Sequence, residues 1–245
     1  MISPHITLAV TQRILKELFR EPRTRIFLVV TPSVLLILVR YLFGSTVDFG
    51  NTGVLMIGVV PALSMCLIGS MTLVRERNRG TLEAVLATPA SRIDLIAGYL
   101  CVAVIASFIQ AICTVTVAYL VCGLHTASPP WLVGSLTMLS GLFGMSIGMC
   151  VSGVSKNEGE ASHFLPGAMV PQLLICGVFW PVSKMAGWVQ QLERVLPMAA
   201  VTRAMTAAQK YSFGGASLAH SVLAMVGLTA GFLLLATTTI RRRTA

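Results

Sequence analysis

The sequence predicts an all-α polytopic membrane protein with six transmembrane helices. Its 245 residues are 55% hydrophobic and only 11% charged, and the mean hydropathy is +0.82. Soluble domains carry about 25% charged residues. The apolar residues also form runs near the ~20 residues that a helix needs to cross a bilayer. These acid-free runs place the spans at 26–43, 53–74, 95–122, 131–154, 164–180 and 217–240.

The spans use most of the chain, so a single membrane domain is expected over residues 1–245. No stretch between the spans is long enough for a separate soluble catalytic domain. The N-terminal stretch is expected to be retained, because it is too charged for a cleavable secretory signal.

Residues 5–21 predict an amphipathic interfacial helix ahead of the first span. Val10, Ile14 and Leu18 recur on one stripe, and basic residues occupy the opposite face. The apolar stripe of such a helix enters the headgroup boundary while its cations meet anionic lipid. Pro22 ends the helix. A plain basic anchor explains the same residues equally well.

The distribution of charge predicts the orientation of the chain. Of the 18 Lys and Arg residues, all but five lie on the side of the N-terminus. The five on the other side are Arg40, Lys184, Arg194, Arg203 and Lys210. The positive-inside rule therefore places both termini in the cytoplasm. The net charge of +9 then reflects topology rather than nucleic-acid binding.

Trp131, Trp180 and Trp188 fall at the predicted outer interface, where indole rings are favoured.

The loop between spans two and three, residues 75–94, has the most specific pattern. Thr81 can cap a short helix that Pro89 ends, with Leu82 and Leu86 on one face. A short rigid element beneath the membrane is suited to docking another protein. A positive-inside connector is an equally good physical explanation.

Residues 75–92, Arg-Glu-Arg-Asn-Arg-Gly-Thr-Leu-Glu-Ala-Val-Leu-Ala-Thr-Pro-Ala-Ser-Arg, resemble the signature loop of type-2 ABC transporter permeases. The similarity continues through 141–153, 158–161 and 177–185, and covers roughly residues 5–240. In that family the loop forms a cytoplasmic coupling helix. The resemblance implies a permease that pairs with a second copy or a similar chain and docks onto two separate ATPase subunits. Those subunits would bind ATP and magnesium, and this chain would bind no cofactor.

The resemblance also implies which residues meet the ATPase, and it makes 181–212 external or re-entrant helices. The coupling residues of the first loop would be Arg75, Glu76, Arg77, Gly80, Thr81, Leu82, Glu83, Leu86 and Pro89. Glu158 and Glu160 would belong to a smaller second contact, over residues 155–162.

The spans contain few groups that could supply energy for transport. The chain has no Gly-x-x-x-x-Gly-Lys-Ser/Thr loop to hold ATP phosphates. Ion-coupled carriers normally place ionisable residues within their spans, and here all nine acids lie outside them. Arg40, near the outer end of span one, is expected to extend to the interface. Gln110 in span three is expected to form an interhelical hydrogen bond.

Gly144-Met145-Ser146-Ile147-Gly148 matches the Gly-x-Ser-x-Gly pattern, and with His220 it suggests an intramembrane serine protease as a rival. Spans four and six both enter the membrane from the outer side. Counted from there at ~1.5 Å per residue, the depths of Ser146 and His220 differ by roughly 18 Å. Proton abstraction needs roughly 3 Å. Small residues recurring at every fourth position instead predict a helix-packing face. These are Ser140, Gly144, Gly148 and Ser152.

No catalytic residue or metal site is expected in the chain. The histidines His5, His125 and His163 lie outside the spans or at their edges, without the spacing of metal ligands. The six cysteines, which include no Cys-x-x-Cys pair, are expected to pack as small apolar side chains.

The sequence thus favours the permease of an ABC exporter that works by alternating access. An apolar lining suits a hydrophobic or amphipathic cargo such as a drug, an antibiotic or a lipid. Export of a polysaccharide or glycolipid is the alternative.

Overall fold

A computed structural model describes residues 4–43, 46–78, 92–155, 157–211 and 215–239. Within these ranges the chain forms helices and short connections, and no strand. The α-helices are α1 (Pro4–Arg20), α2 (Pro22–Arg25), α3 (Thr31–Leu42), α4 (Thr46–Asn78), α5 (Arg92–Thr116), α6 (Pro130–Val154), α7 (Glu158–Ile175), α8 (Gly187–Val195), α9 (Met198–Lys210) and α10 (Ala216–Thr239). Two π-helical turns, Ile26–Val30 and Val117–Val121, precede α3 and extend α5, and a 3₁₀ turn covers Val182–Lys184.

Helices α4 and α6 form the centre of the bundle. The most apolar part of α4 is 83% buried and that of α6 is 67% buried, against 39% for α5 and 22% for α10. Helices that are apolar on all sides belong either in a core or in a membrane. The peripheral helices therefore have apolar faces available for lipid or for another chain.

Glycines allow α4 and α6 to approach closely. A Cβ atom on Gly144 would lie 1.9 Å from the carbonyl oxygen of Ala62, and one on Gly148 would lie 2.2 Å from that of Cys66. No side chain fits at either position without separating the two helices. The predicted small-residue face thus points its two glycines at α4. Its two serines donate within α6, Ser140 to the carbonyl of Thr137 and Ser152 to that of Met149.

Four helices are long and apolar enough to cross a membrane among the residues described. Their apolar stretches are Phe49–Asn78, Ile96–Val121, Pro130–Gly153 and Ala216–Thr237. They correspond to the second, third, fourth and sixth predicted spans. The first predicted span is a shorter apolar helix over Ile26–Leu42.

The fifth predicted span, 164–180, is displaced in the structure. Helix α7 begins at Glu158, because the side chain of Asn157 accepts a hydrogen bond from the Glu160 backbone N–H at 2.8 Å and caps the helix. The helix ends before Gly177, whose φ of +83° is left-handed. The Asn157 cap and Gly177 therefore place both ends of α7 earlier in the chain than the predicted span, and α7 includes polar residues that the predicted span does not.

The segment predicted as external or re-entrant, 181–212, contains α8 and α9. Helix α9 is buried against α4, α6 and α10 although its sequence is not strongly apolar. Gly58 of α4 makes room for it, since a Cβ there would lie 2.7 Å from Met205. Glu193 of α8 accepts two hydrogen bonds from Arg203 of α9, at 2.8 and 3.2 Å. This ion pair fixes the angle between the two short helices.

Arg40 has protein partners at the predicted outer ends of the first and third spans, and its extension to the membrane interface stays a prediction. Its guanidinium donates to the carbonyl oxygens of Cys122 at 3.1 Å and Phe43 at 3.3 Å, and lies 5.6 Å from the ring centre of Phe49. The carbonyls at these two helix ends need donors. Arg40 therefore joins the end of α3 to the end of the π-turn after α5.

The interhelical hydrogen bond expected for Gln110 is confirmed. Its Nε2 atom donates to the Ser64 hydroxyl of α4 at 2.5 Å, and both side chains are buried. We expect a double-mutant cycle of Gln110→Leu and Ser64→Ala to give a coupling free energy of about 0.6 to 1.7 kcal/mol. Unfolding in a denaturing detergent would measure it, and strict additivity of the two substitutions would contradict the hydrogen bond.

Candidate functional site at the charged end of the bundle

The last turn of α4 carries Arg75, Glu76 and Arg77 out of the apolar bundle. The two arginines lie where the helix dipole favours positive charge. All three side chains contact protein groups outside α4. The predicted coupling residues nearest to the membrane are thus held in place by the rest of the chain.

Glu76 is buried and paired with the interfacial helix. Only 1% of its side chain is exposed, and its Oε1 atom accepts a hydrogen bond from Arg13 of α1 at 2.6 Å. The buried hydroxyl of Tyr99 on α5 lies beside the same carboxylate. A charge removed from water to this degree depends on its partner for stability.

Helix α1 reaches this position by packing on α5. Val10, Ile14 and Leu18 are each no more than 6% exposed and share an apolar cluster with Tyr99. Gly98 permits the approach, because a Cβ there would lie 2.7 Å from the side chain of Val10. The stripe predicted to enter the headgroup region is therefore occupied by protein contacts.

Two further contacts complete the arrangement. Arg75 forms an ion pair with Glu21, which directly follows α1. Arg77 donates a hydrogen bond to the carbonyl oxygen of Ser155, the residue that ends α6. We call this set the charged junction. It consists of Arg13, Glu21, Arg75, Glu76, Arg77 and Ser155. The charged junction ties the ends of α1, α4 and α6 together.

The remaining predicted coupling residues are only partly covered by the structure. Those of the loop itself lie outside the described residues, and so does the Glu158 side chain. Glu160 is exposed at the start of α7, where its backbone N–H is capped by Asn157. The loop residues in question are Gly80, Thr81, Leu82, Glu83, Leu86 and Pro89. Their roles stay predictions.

The protease constellation finds no support in the arrangement of Ser146. This side chain is 1% exposed and donates its hydroxyl to the carbonyl oxygen of Phe143 on its own helix, at 2.6 Å. His220 is exposed near the start of α10. A serine nucleophile needs a base within hydrogen-bond reach, whereas the Ser146 hydroxyl is engaged by a backbone carbonyl of its own helix. In the part of the chain that the structure covers, no three potential metal ligands come together.

Sequence reasoning missed the ion pairs of the charged junction. Arg13 and Glu76 are 63 positions apart, and amphipathic periodicity had assigned Arg13 to the polar face that meets lipid headgroups. The sequence did contain one indication of the pair. Glu76 directly follows an apolar span, and an acid that is buried at such a position needs a cation as its partner. The partner of that acid could not be chosen among the many basic residues before the first span.

Comparison with known proteins identifies the family of the chain. The family model "ABC-2 type transporter" matches residues 6–210. The chain is 26% identical over 149 residues to the "Probable multidrug ABC transporter permease YbhR" of Escherichia coli K12, covering 58% of this chain and 39% of that protein. It is 32% identical over 74 residues to "ABC transporter G family member 20" of Dictyostelium discoideum, covering 30% of this chain and 10% of that protein. The chain therefore spans well under half the length of either relative. The family match extends over most of the chain and includes every described residue of the charged junction, and the chain belongs to the ABC-2 type transporter family.

Proposed function

We propose that this chain is the membrane-spanning permease subunit of an ATP-driven exporter whose ATPase is a separate protein. The observation that carries the proposal is the charged junction. Helices α4 and α5 flank the loop that resembles a coupling helix, and the junction connects the α4 end of that loop to α1 and α6. A displacement of the loop would therefore be delivered to several helices at once.

The proposed topology has six spans within one domain, residues 1–245, with both termini in the cytoplasm. Helix α7, with 18 residues, is the proposed fifth span. A second copy or a similar chain would supply a matching set, giving about twelve spans around the path. ATP and magnesium would bind to two partner ATPase subunits, and alternating access would follow from their closure.

The proposed cargo is hydrophobic or amphipathic, such as a drug, an antibiotic or a lipid. The support is the apolar character of the bundle and the multidrug name of the YbhR relative. A polysaccharide or glycolipid is the alternative, and export assays with both cargo classes would separate them.

Co-purification with the proposed partner ATPase tests the docking step. We expect Glu83→Lys to reduce the retained ATPase about tenfold, because a reversed charge at a protein contact costs binding energy. Arg194→Glu is the control, since Arg194 is exposed on α8 at the predicted opposite side of the membrane. Equal retention of the ATPase by the two variants would count against the proposed contact.

A further inference from the structure

A groove lies at the corner where the chain turns from the interfacial helix into the first apolar helix. It has a volume of about 390 Å³. This volume falls within the ~300 to 1,000 Å³ of small-ligand sites. The lining residues come from the end of α1, from α2 and from the π-turn, and are Phe19, Pro22, Arg25, Ile26, Leu28, Val29 and Val30. All of them except Arg25 are apolar.

The π-turn accounts for the shape of this corner. Its Ile26 carbonyl accepts from the Thr31 N–H, one residue beyond the α-helical partner. The wider turn directs Leu28 into the protein, where it is 1% exposed, and leaves Ile26 52% and Val30 47% exposed. Such π-bulges occur often at functional sites.

One arginine lines the groove and a second lies beside it in the sequence. Arg25 is one of the lining residues and is exposed, and Arg20 is exposed directly after Phe19. The neighbouring acid, Glu21, is already paired with Arg75. An apolar slot beside an exposed guanidinium matches a molecule that has an acyl chain and a phosphate, because Arg binds phosphate oxygens in a fork geometry.

The chemistry of the corner favours lipid over a second copy of the chain. A two-fold copy whose axis passes through this groove would bring Arg20 and Arg25 close to identical cations. The groove also begins where the sequence changes from charged to apolar, which is the depth of lipid headgroups. By the positive-inside rule this end faces the leaflet that is rich in anionic lipid.

We propose that the groove binds one anionic phospholipid, with an acyl chain against the π-turn and the phosphate at Arg25. The site replaces the lipid contact that the α1 stripe was expected to make. It is independent of the exported cargo, so its test does not depend on the proposed function.

Native mass spectrometry of the full chain, released from micelles with equal phosphatidylglycerol and phosphatidylcholine, tests the site. We expect preferential retention of phosphatidylglycerol. Arg25→Gln should lower the ratio of retained phosphatidylglycerol to phosphatidylcholine roughly fivefold, the effect of one cation at the membrane surface. Arg25→Lys should keep part of the preference, and Arg194→Gln should keep all of it.

A second variant tests the groove itself. Ile26→Trp fills the slot from an exposed position without changing the charge, and should lower the amount of retained phosphatidylglycerol. Equal lipid ratios for Arg25→Gln and Arg194→Gln would overturn the proposal. Loss with Arg25→Gln but not with Ile26→Trp would assign the effect to general surface attraction and would also overturn it. A change in oligomeric state by Ile26→Trp, with bound lipid unchanged, would show that a second copy covers the groove.

Discussion

The Arg13→Met chain is expected to lose about 3 kcal/mol of its free energy of unfolding. The substitution keeps an unbranched apolar stem but removes the guanidinium that pairs with Glu76, a carboxylate with 1% of its side chain exposed. Breaking a buried ion pair costs about 3 to 5 kcal/mol, and we take the lower value because Arg13 is itself 38% exposed. Unfolding of the purified chain in a denaturing detergent would measure the loss.

The same helix offers a matched control. Lys16 is exposed on α1, so Lys16→Met should change the free energy of unfolding by less than about 0.5 kcal/mol. Adding Glu76→Gln to Arg13→Met should recover part of the loss, because the stranded charge is removed. If Arg13→Met and Lys16→Met behave alike, the charged junction does not stabilise the fold.

Gly144→Ala is expected to destabilise the bundle by about 3 kcal/mol or more. The added methyl group would lie 1.9 Å from the carbonyl oxygen of Ala62, and a helix backbone cannot move aside as a flexible side chain can. Helices α4 and α6 would separate along their main contact. The free energy of unfolding and the yield of folded chain from membranes would both report the change.

Gly134 provides the control on the same helix. A Cβ there meets nothing within 4 Å, so Gly134→Ala should be neutral or slightly stabilising. A Gly144→Ala chain as stable as the Gly134→Ala chain would mean that α4 and α6 do not pack as closely as described.

Sequence reasoning predicted the helices whose residue pattern has a single physical cause. Long apolar runs predicted α4, α5, α6 and α10, because a helix that crosses a bilayer must be apolar over its whole length. The four-residue recurrence from Ser140 to Ser152 predicted a packing face, and its glycines lie against α4. Periodicity did not identify α4 as the partner, since any apolar helix could fill that role.

Sequence reasoning failed where the same residues fit two different environments, or where end signals and hydrophobicity give different helix bounds. The stripe of Val10, Ile14 and Leu18 suits lipid or protein equally well, and its packing on α5, with a close approach at Gly98, depends on the position of another helix. Helix α7 was misplaced because an asparagine cap and a left-handed glycine outweigh the hydrophobic run between them. Pairs distant in sequence, such as Arg13 with Glu76, depend on helix positions that no local pattern contains.

Transport by the purified chain in sealed vesicles, with and without its ATPase, tests the central proposal most directly. The account predicts that cargo accumulates against its gradient only when the ATPase, ATP and magnesium are all present. The Arg13→Met variant should transport less per ATP hydrolysed than the Lys16→Met variant. Uphill movement of cargo by the chain alone, with no ATPase in the vesicles, would contradict the account.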